Sequence, residues 1–212
     1  MNSRYNSSGK QRKTVRTIGW RYGGGILLLL VSLAGVWQAG RASRAYALMY
    51  EALFGETRRD ADKVLLLHHR AHLLYPHSYH LAIHAGSLAW YHYIRAHDAD
   101  DSEQAAHYLD QVRRWTRIGL YRNPYPLQLR WLNQRLLEID DSIEAAIDYW
   151  EQHTEWHYWY AYNHAVLADL YIRAGRLDDA ERTLPMLRGS PYYDETVEAL
   201  QDARRLDMKT ED

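Results

Sequence analysis

Apolar residues recur at intervals of three and four over nearly all of 41–206, the period of an α-helix that buries one face. The pattern predicts helices at 42–54, 60–75, 78–96, 102–120, 125–139, 142–153, 156–174, 177–188 and 191–206. Turn chemistry fills the gaps: Tyr75-Pro76, Asn123-Pro124, Gly175 and Gly189-Ser190-Pro191 place proline or glycine where one helix stops and the next begins. Every second helix opens at an aspartate, at Asp60, Asp101, Asp141 and Asp178. Asp101 with Gln104, and Asp141 with Glu144, have capping-box spacing, in which the aspartate accepts from a backbone N–H and the later side chain reaches back. A start signal that returns on alternate helices predicts helix pairs, not a set of unrelated helices.

Ahead of the pairs, residues 22–40 form a run of 19 without a charge, centred on 26–37. As a helix this run covers about 28 Å, close to the thickness of a bilayer's hydrocarbon core. Trp20, Tyr22 and Trp37 stand where interfacial aromatics belong. Six basic residues precede the run and only Arg41 and Arg44 follow it closely, which places the N-terminus in the cytoplasm and the rest across the inner membrane, on the periplasmic or equivalent side. The expected organisation is a flexible basic cytoplasmic tail at 1–21, a single transmembrane helix at 22–40, a repeat domain at 41–206 and a short tail at 207–212. The competing reading is a cleaved signal peptide. Trp37-Gln38-Ala39 and Gly40-Arg41-Ala42 make poor cleavage sites, which favours the anchor.

Within 161–187 the pattern is finer. Ala168 and Ala180 are small, as two helices crossing at about 8–10 Å require, while Leu167, Tyr171 and Leu184 are large enough to fill the seam around them. Gly175 suits a left-handed helix end, and Asp178 and Asp179 suit the positive N-terminal end of the next helix. Ala146 and Trp150 repeat the small and large positions one pair earlier. An ordinary helical hairpin shares the turn chemistry but not the whole small and large pattern.

With His164 in place of the leading tryptophan, 161–187 resembles one complete tetratricopeptide repeat. At the level of fold the resemblance extends over about 42–206, through more degenerate repeats: Pro76 to Pro124 is 48 residues against an ideal 34, and either Gly86 or Ala89 holds the small position of the second pair. The resemblance implies an all-α fold, with one N-terminal transmembrane helix followed by an α-α solenoid of about four helix pairs and a polar C-terminal capping helix at 191–206. It also implies a groove lined by the first helix of each pair, with Tyr162, Asp169 and Ile172 from the last repeat and Gln128, Trp131 and Arg135 from the third. Family members of this layout are scaffolding or accessory subunits of bacterial envelope complexes. The expected partner is therefore another membrane or envelope protein, held through Trp131, Arg135, Tyr162 and Asp169.

Composition narrows the chemistry. Without cysteine there is no disulfide, thiolate nucleophile or Cys-based zinc or haem attachment. Eight of the 26 basic residues fall in 1–50, which carries no acid, so the remaining 18 face all 27 acidic residues. A body of that sign disfavours nucleic acid as a ligand. No Gly-x-Ser-x-Gly, His-Glu-x-x-His or phosphate-gripping loop occurs, and the adjacent carboxylates Asp100-Asp101 and Asp140-Asp141 sit at helix starts, where capping accounts for them. The expectation is a non-enzyme without a cofactor. A rival reading rests on the histidines, twelve in all with eight between 68 and 97: His68 with His72, and His80 with His84, have the one-turn spacing of a shared metal or haem ligand pair, but a third ligand at comparable spacing is missing. The stripe His80, His84, Ser87, Tyr91, Arg95 forms one helix face, either lining the groove or facing solvent. The aromatic run Trp156–Tyr162, WHYWYAY, is read first as buried core and second as a stacking platform for a ligand.

Overall fold

A computed structural model describes residues 8–56 and 60–210 of the chain. Among them every regular element is an α-helix: α1 (Ser8–Phe54), α2 (Ala61–Leu74), α3 (Tyr79–Asp98), α4 (Ser102–Arg122), α5 (Leu127–Asp140), α6 (Ile143–Trp156), α7 (Ala161–Arg173), α8 (Leu177–Leu187) and α9 (Tyr193–Thr210). The fold is all-α, with helices in repeat-like succession behind a long apolar first helix. The chain divides into two compact units, Met1–Leu81 and Ala82–Asp212.

In the first unit α1 runs unbroken through the apolar segment into the helix expected at 42–54. Its backbone is helical from Ser8, where a flexible tail was expected; residues 1–7 of that tail lie outside the described residues. The apolar turns supply the costly nucleus, after which each polar flanking residue adds a hydrogen bond by propagation. The residues from Ile26 to Trp37 are exposed, the large apolar ones by 57–72 %, and nothing among the described residues covers them. Gly23–Phe54 is the one stretch among the described residues long and apolar enough to cross a membrane, by length and composition. Its last turns pack Ala45 and Met49 on Ala71 and Leu81. Asp60 caps α2 as expected, accepting from the Lys63 N–H at 3.1 Å.

The second unit holds the clearest pair. Helices α7 and α8 bury Leu167, Ala168, Tyr171 and Ala180 together with Ala146, Ile147 and Trp150 of α6. Ala168 and Ala180 have no exposed surface, as the small positions of a close crossing require. Gly175 is left-handed at φ 73°, and the turn around it closes with Arg176 N–H to Tyr171 O at 2.8 Å and Gly175 N–H to Ile172 O at 3.1 Å. These two bonds satisfy the last carbonyls of α7 in the manner of a Schellman motif. The preceding pair stands 34 residues earlier: Ala146 answers Ala180, and both are fully buried. Where the repeat places Ala168, the earlier pair has Gln134. This glutamine is 2 % exposed and accepts the Trp150 indole N–H at 2.9 Å, so that a polar pair fills the crossing. In the pair before that, Gly86 and Ala89 are both buried. A Cβ on Gly86 would stand 3.0 Å from Leu132 and 3.6 Å from Trp115, which explains why two small residues share this helix face.

Two local expectations change. Asp101 caps α4 through the Gln104 N–H at 3.1 Å, but α6 is capped by Ser142, whose hydroxyl accepts from the Ala145 N–H at 3.1 Å; Asp141 lies one position too early and ends α5. Helix α8 has no side-chain cap, and Asp178 and Asp179 sit in its first turn, where the helix dipole favours them. Of the aromatic run at 156–162, only Tyr162 packs against the core, beside Trp150. Helix α6 stops at Trp156, the chain turns through 157–160, and Trp156, Tyr158, Trp159 and Tyr160 are 48–77 % exposed. Consecutive aromatics leaving a helix cannot all face one interior. The turn is held by its own backbone: Asn163 donates to His157 O at 3.3 Å and His164 donates from Nε2 to Tyr158 O at 2.6 Å. That bond gives His164 its role at the position where the repeat family has tryptophan.

Candidate binding cleft

Helices α5 and α7 are the first helices of successive pairs, and α9 follows them in the same order. Together they line a cleft of about 350 Å³. Trp131, Gln134 and Arg135 come from α5; Tyr162, Ala165, Val166, Asp169 and Ile172 from α7; Tyr192, Glu195, Thr196 and Ala199 from α9 and the turn before it. The four residues singled out from sequence, Trp131, Arg135, Tyr162 and Asp169, are thus brought together. So is Ile172, whereas Gln128 is exposed and takes no part.

Packing fixes the aromatic wall. Trp131 meets Trp90 of α3 edge to face with centroids 5.5 Å apart, and Tyr162 meets Tyr192 at 5.7 Å and the buried Trp150 at 6.4 Å. Rings locked in this way lose little freedom when a ligand packs on them. Burial, followed by the neighbouring Tyr192 and Tyr160, raises the Tyr162 phenol above its ordinary value, so it acts as a neutral donor and acceptor.

The rim is charged. Arg135 lies over the Trp131 ring at 5.3 Å and donates to Glu138 at 3.1 Å. Glu138 also accepts from Arg173 at 2.5 Å and from Gln134 at 2.7 Å. Burial alone would raise the Glu138 carboxyl, but the Arg173 and Gln134 hydrogen bonds and the nearby Arg135 hold it below its ordinary value. Glu138 therefore ties α5 to α7 as an anion and occupies both arginines. Asp169 and Glu195 are exposed on the rim, and Asp169 makes a long contact to Arg173, at 3.5 Å. The cleft presents an apolar and aromatic floor with carboxylates at its edge.

The register of 161–187 predicts α7's contribution to the cleft. It does not reach α9, whose charged residues read as a polar cap; the signal that α9 also lines the cleft is Thr196, one turn after Tyr192 in the turn before the helix. Gln134 was missed because the repeat pattern asks for a small residue there.

The histidines behave otherwise. His68 is fully buried and donates from Nδ1 to Val64 O, 2.9 Å away on its own helix; His72 is half-buried one turn on, and His80 and His84 are exposed on α3. Among the described residues no group of three or more His, Cys, Asp or Glu is placed to hold a metal ion. His80, His84, Ser87, Tyr91 and Arg95 are all exposed and lie outside the cleft, with Arg95 5.8 Å over the Tyr91 ring.

No family model matches the sequence, and no curated protein matches it. Among solved structures, the crystal structure of MamA protein is similar at a TM-score of 0.48 and 14% sequence identity, over 78% of this chain and 93% of that one.

Proposed function

We propose that the protein is a membrane-anchored helical-repeat scaffold of tetratricopeptide type, which holds a segment of another membrane or envelope protein in the cleft between α5, α7 and α9. The observation that carries this reading is the cleft itself: a preformed apolar floor, rigid rings at Trp131, Tyr162 and Tyr192, and a carboxylate rim, the anatomy of a recognition site for a few anchoring side chains. The exposed apolar turns of α1 support the anchor, because a soluble protein would bury or shorten such a run. The charge bias around that run supports a cytoplasmic N-terminus and a repeat body on the periplasmic or equivalent side. No group in the cleft pairs a nucleophile with a base, which favours binding as its activity.

The test is a pull-down from native membranes. Tyr162→Ala combined with Asp169→Ala should lower partner recovery at least tenfold while helical content and membrane insertion stay as in the wild type, since neither residue sits at a helix crossing. Full recovery in that variant, with loss only when 22–40 is exchanged for an unrelated apolar helix, would move the contact into the bilayer and leave the repeats as a spacer.

A further inference from the structure

Beside the cleft, α5 buries a guanidinium that no acidic group among the described residues holds. Arg130 lies one turn before Gln134, is 6 % exposed, and has its Nε and Nη1 buried without a hydrogen-bond partner among the described residues. Its Cζ stands 5.5 Å from the ring centroid of Trp150, so an aromatic face supplies part of what a carboxylate would. A guanidinium does not escape burial by losing its proton, and donors on two of its edges are left dry.

Two imidazoles share the neighbourhood. His153 on α6 and His157 just beyond it have ring centroids 5.9 Å apart, and His153 Nε2 and His157 Nδ1 are likewise buried without a hydrogen-bond partner. The walls are aromatic: Tyr149 stacks on His153 at 5.5 Å, Trp150 meets it edge-on at 5.9 Å, and Tyr125 meets His157 at 5.8 Å. The ionisable groups that act on Arg130 are Tyr149, Tyr160 and Tyr162, and those that act on His153 are Arg130 and His157; no carboxylate is among them. Burial, then Arg130 and His157, pushes the His153 imidazole down to about 4, and burial pushes the Tyr149 phenol up to about 12. At neutral pH the Arg130 guanidinium is therefore charged, while the His153 ring and the Tyr149 phenol beside it are neutral.

We infer that Arg130, His153 and His157 form a binding site for a small free carboxylate, whose oxygens accept from the guanidinium and from the ring N–H groups while its apolar part lies against Trp150 and Tyr149. One fixed charge matches a monoanion; a phosphate dianion would leave an unbalanced charge in an apolar surround. A small free molecule suits a site whose unpartnered atoms, Arg130 Nε and Nη1, His153 Nε2 and His157 Nδ1, are all buried. The site stands on observations separate from the cleft, and neither reading depends on the other.

The test uses the full chain in detergent at pH 7, with acetate replacing chloride at constant ionic strength. The melting temperature of the wild type should rise saturably with acetate, and Arg130→Met and His153→Leu should lose that rise. Isotope-edited NMR of the histidine rings should show the His153 pKa climbing from about 4 toward the ordinary value as acetate binds. Identical melting curves for the wild type in acetate and chloride would overturn the assignment, as would an undiminished acetate gain in Arg130→Met. The wild-type comparison decides the matter even where a variant does not fold.

Discussion

His153 shows what single residues contribute here. Its imidazole faces Arg130, His157 and the ring of Tyr149, and burial together with Arg130 and His157 holds it near 4, below the ordinary 6.5 of the unfolded chain. Between those values the unfolded chain binds more protons than the folded one, so stability falls as the pH drops from about 6.5 toward 4. Because the ring is only partly buried, a loss of about 1–2 kcal/mol is expected across that window. His153→Phe, which keeps the stacking on Tyr149, should flatten that part of the stability profile measured by denaturant unfolding at a series of pH values. An unchanged slope in the variant would assign the loss to other groups. In the sequence this histidine was one of twelve, and the one-turn spacing it shares with His157 is also that of His68 with His72 and His80 with His84, so spacing does not single it out. Its state follows from burial and from Arg130, a neighbour 23 residues away in the chain. Ala180 and Gly175 were legible for the opposite reason, since a helix crossing demands a small residue and a left-handed turn favours glycine wherever they occur.

At the scale of the element, the caps separate what spacing reveals from what it does not. Asp141 and Glu144 have capping-box spacing, yet the helix begins one residue later and Ser142 supplies the bond to Ala145. Ser and Asp are nearly equal as caps, so a Ser next to an Asp leaves the boundary open by one residue until the chain's path into the helix is known. Ser142→Ala should cost about 1 kcal/mol of unfolding free energy, while Asp141→Ala should cost a few tenths at most; equal losses in chemical denaturation would return the cap to Asp141. The aromatic run at 156–160 failed for a related reason. Its composition reads as interior, but Trp156 is the last residue of α6, and which rings face inward depends on where the helix ends. The starts of α2, α4, α6 and α8, at 61, 102, 143 and 177, were close to legible because each repeats a cap or first-turn acid and a buried small or branched residue three positions on.

Across the whole molecule, the all-helical class and the order of α2 to α9 followed from periodicity, since that signal is summed over many turns, whereas α1 joins into one helix the uncharged run at 22–40, the helix expected at 42–54 and part of the expected tail. The cleft followed only in part. Its α5 and α7 walls came from the register of the repeat, whereas the α9 wall needed the third dimension, because Thr196, and Tyr192 in the turn before it, stand among the acidic and basic residues that read as a polar cap. The proposed topology is open to a direct check: alkaline phosphatase fused after the last residue should be active, and activity only of a cytoplasmic fluorescent reporter at that point would reverse the orientation.

The central claim, that a partner segment occupies the cleft, is tested most directly by site-specific photo-crosslinking in the native membrane, with the reactive side chain placed in turn at Asp169, at Arg135 and at the exposed Glu103 on α4. The account predicts that the two cleft positions give the same crosslinked partner and that Glu103 gives none. Crosslinks of equal strength from Glu103, or a partner captured only from within 26–37 of α1, would contradict it.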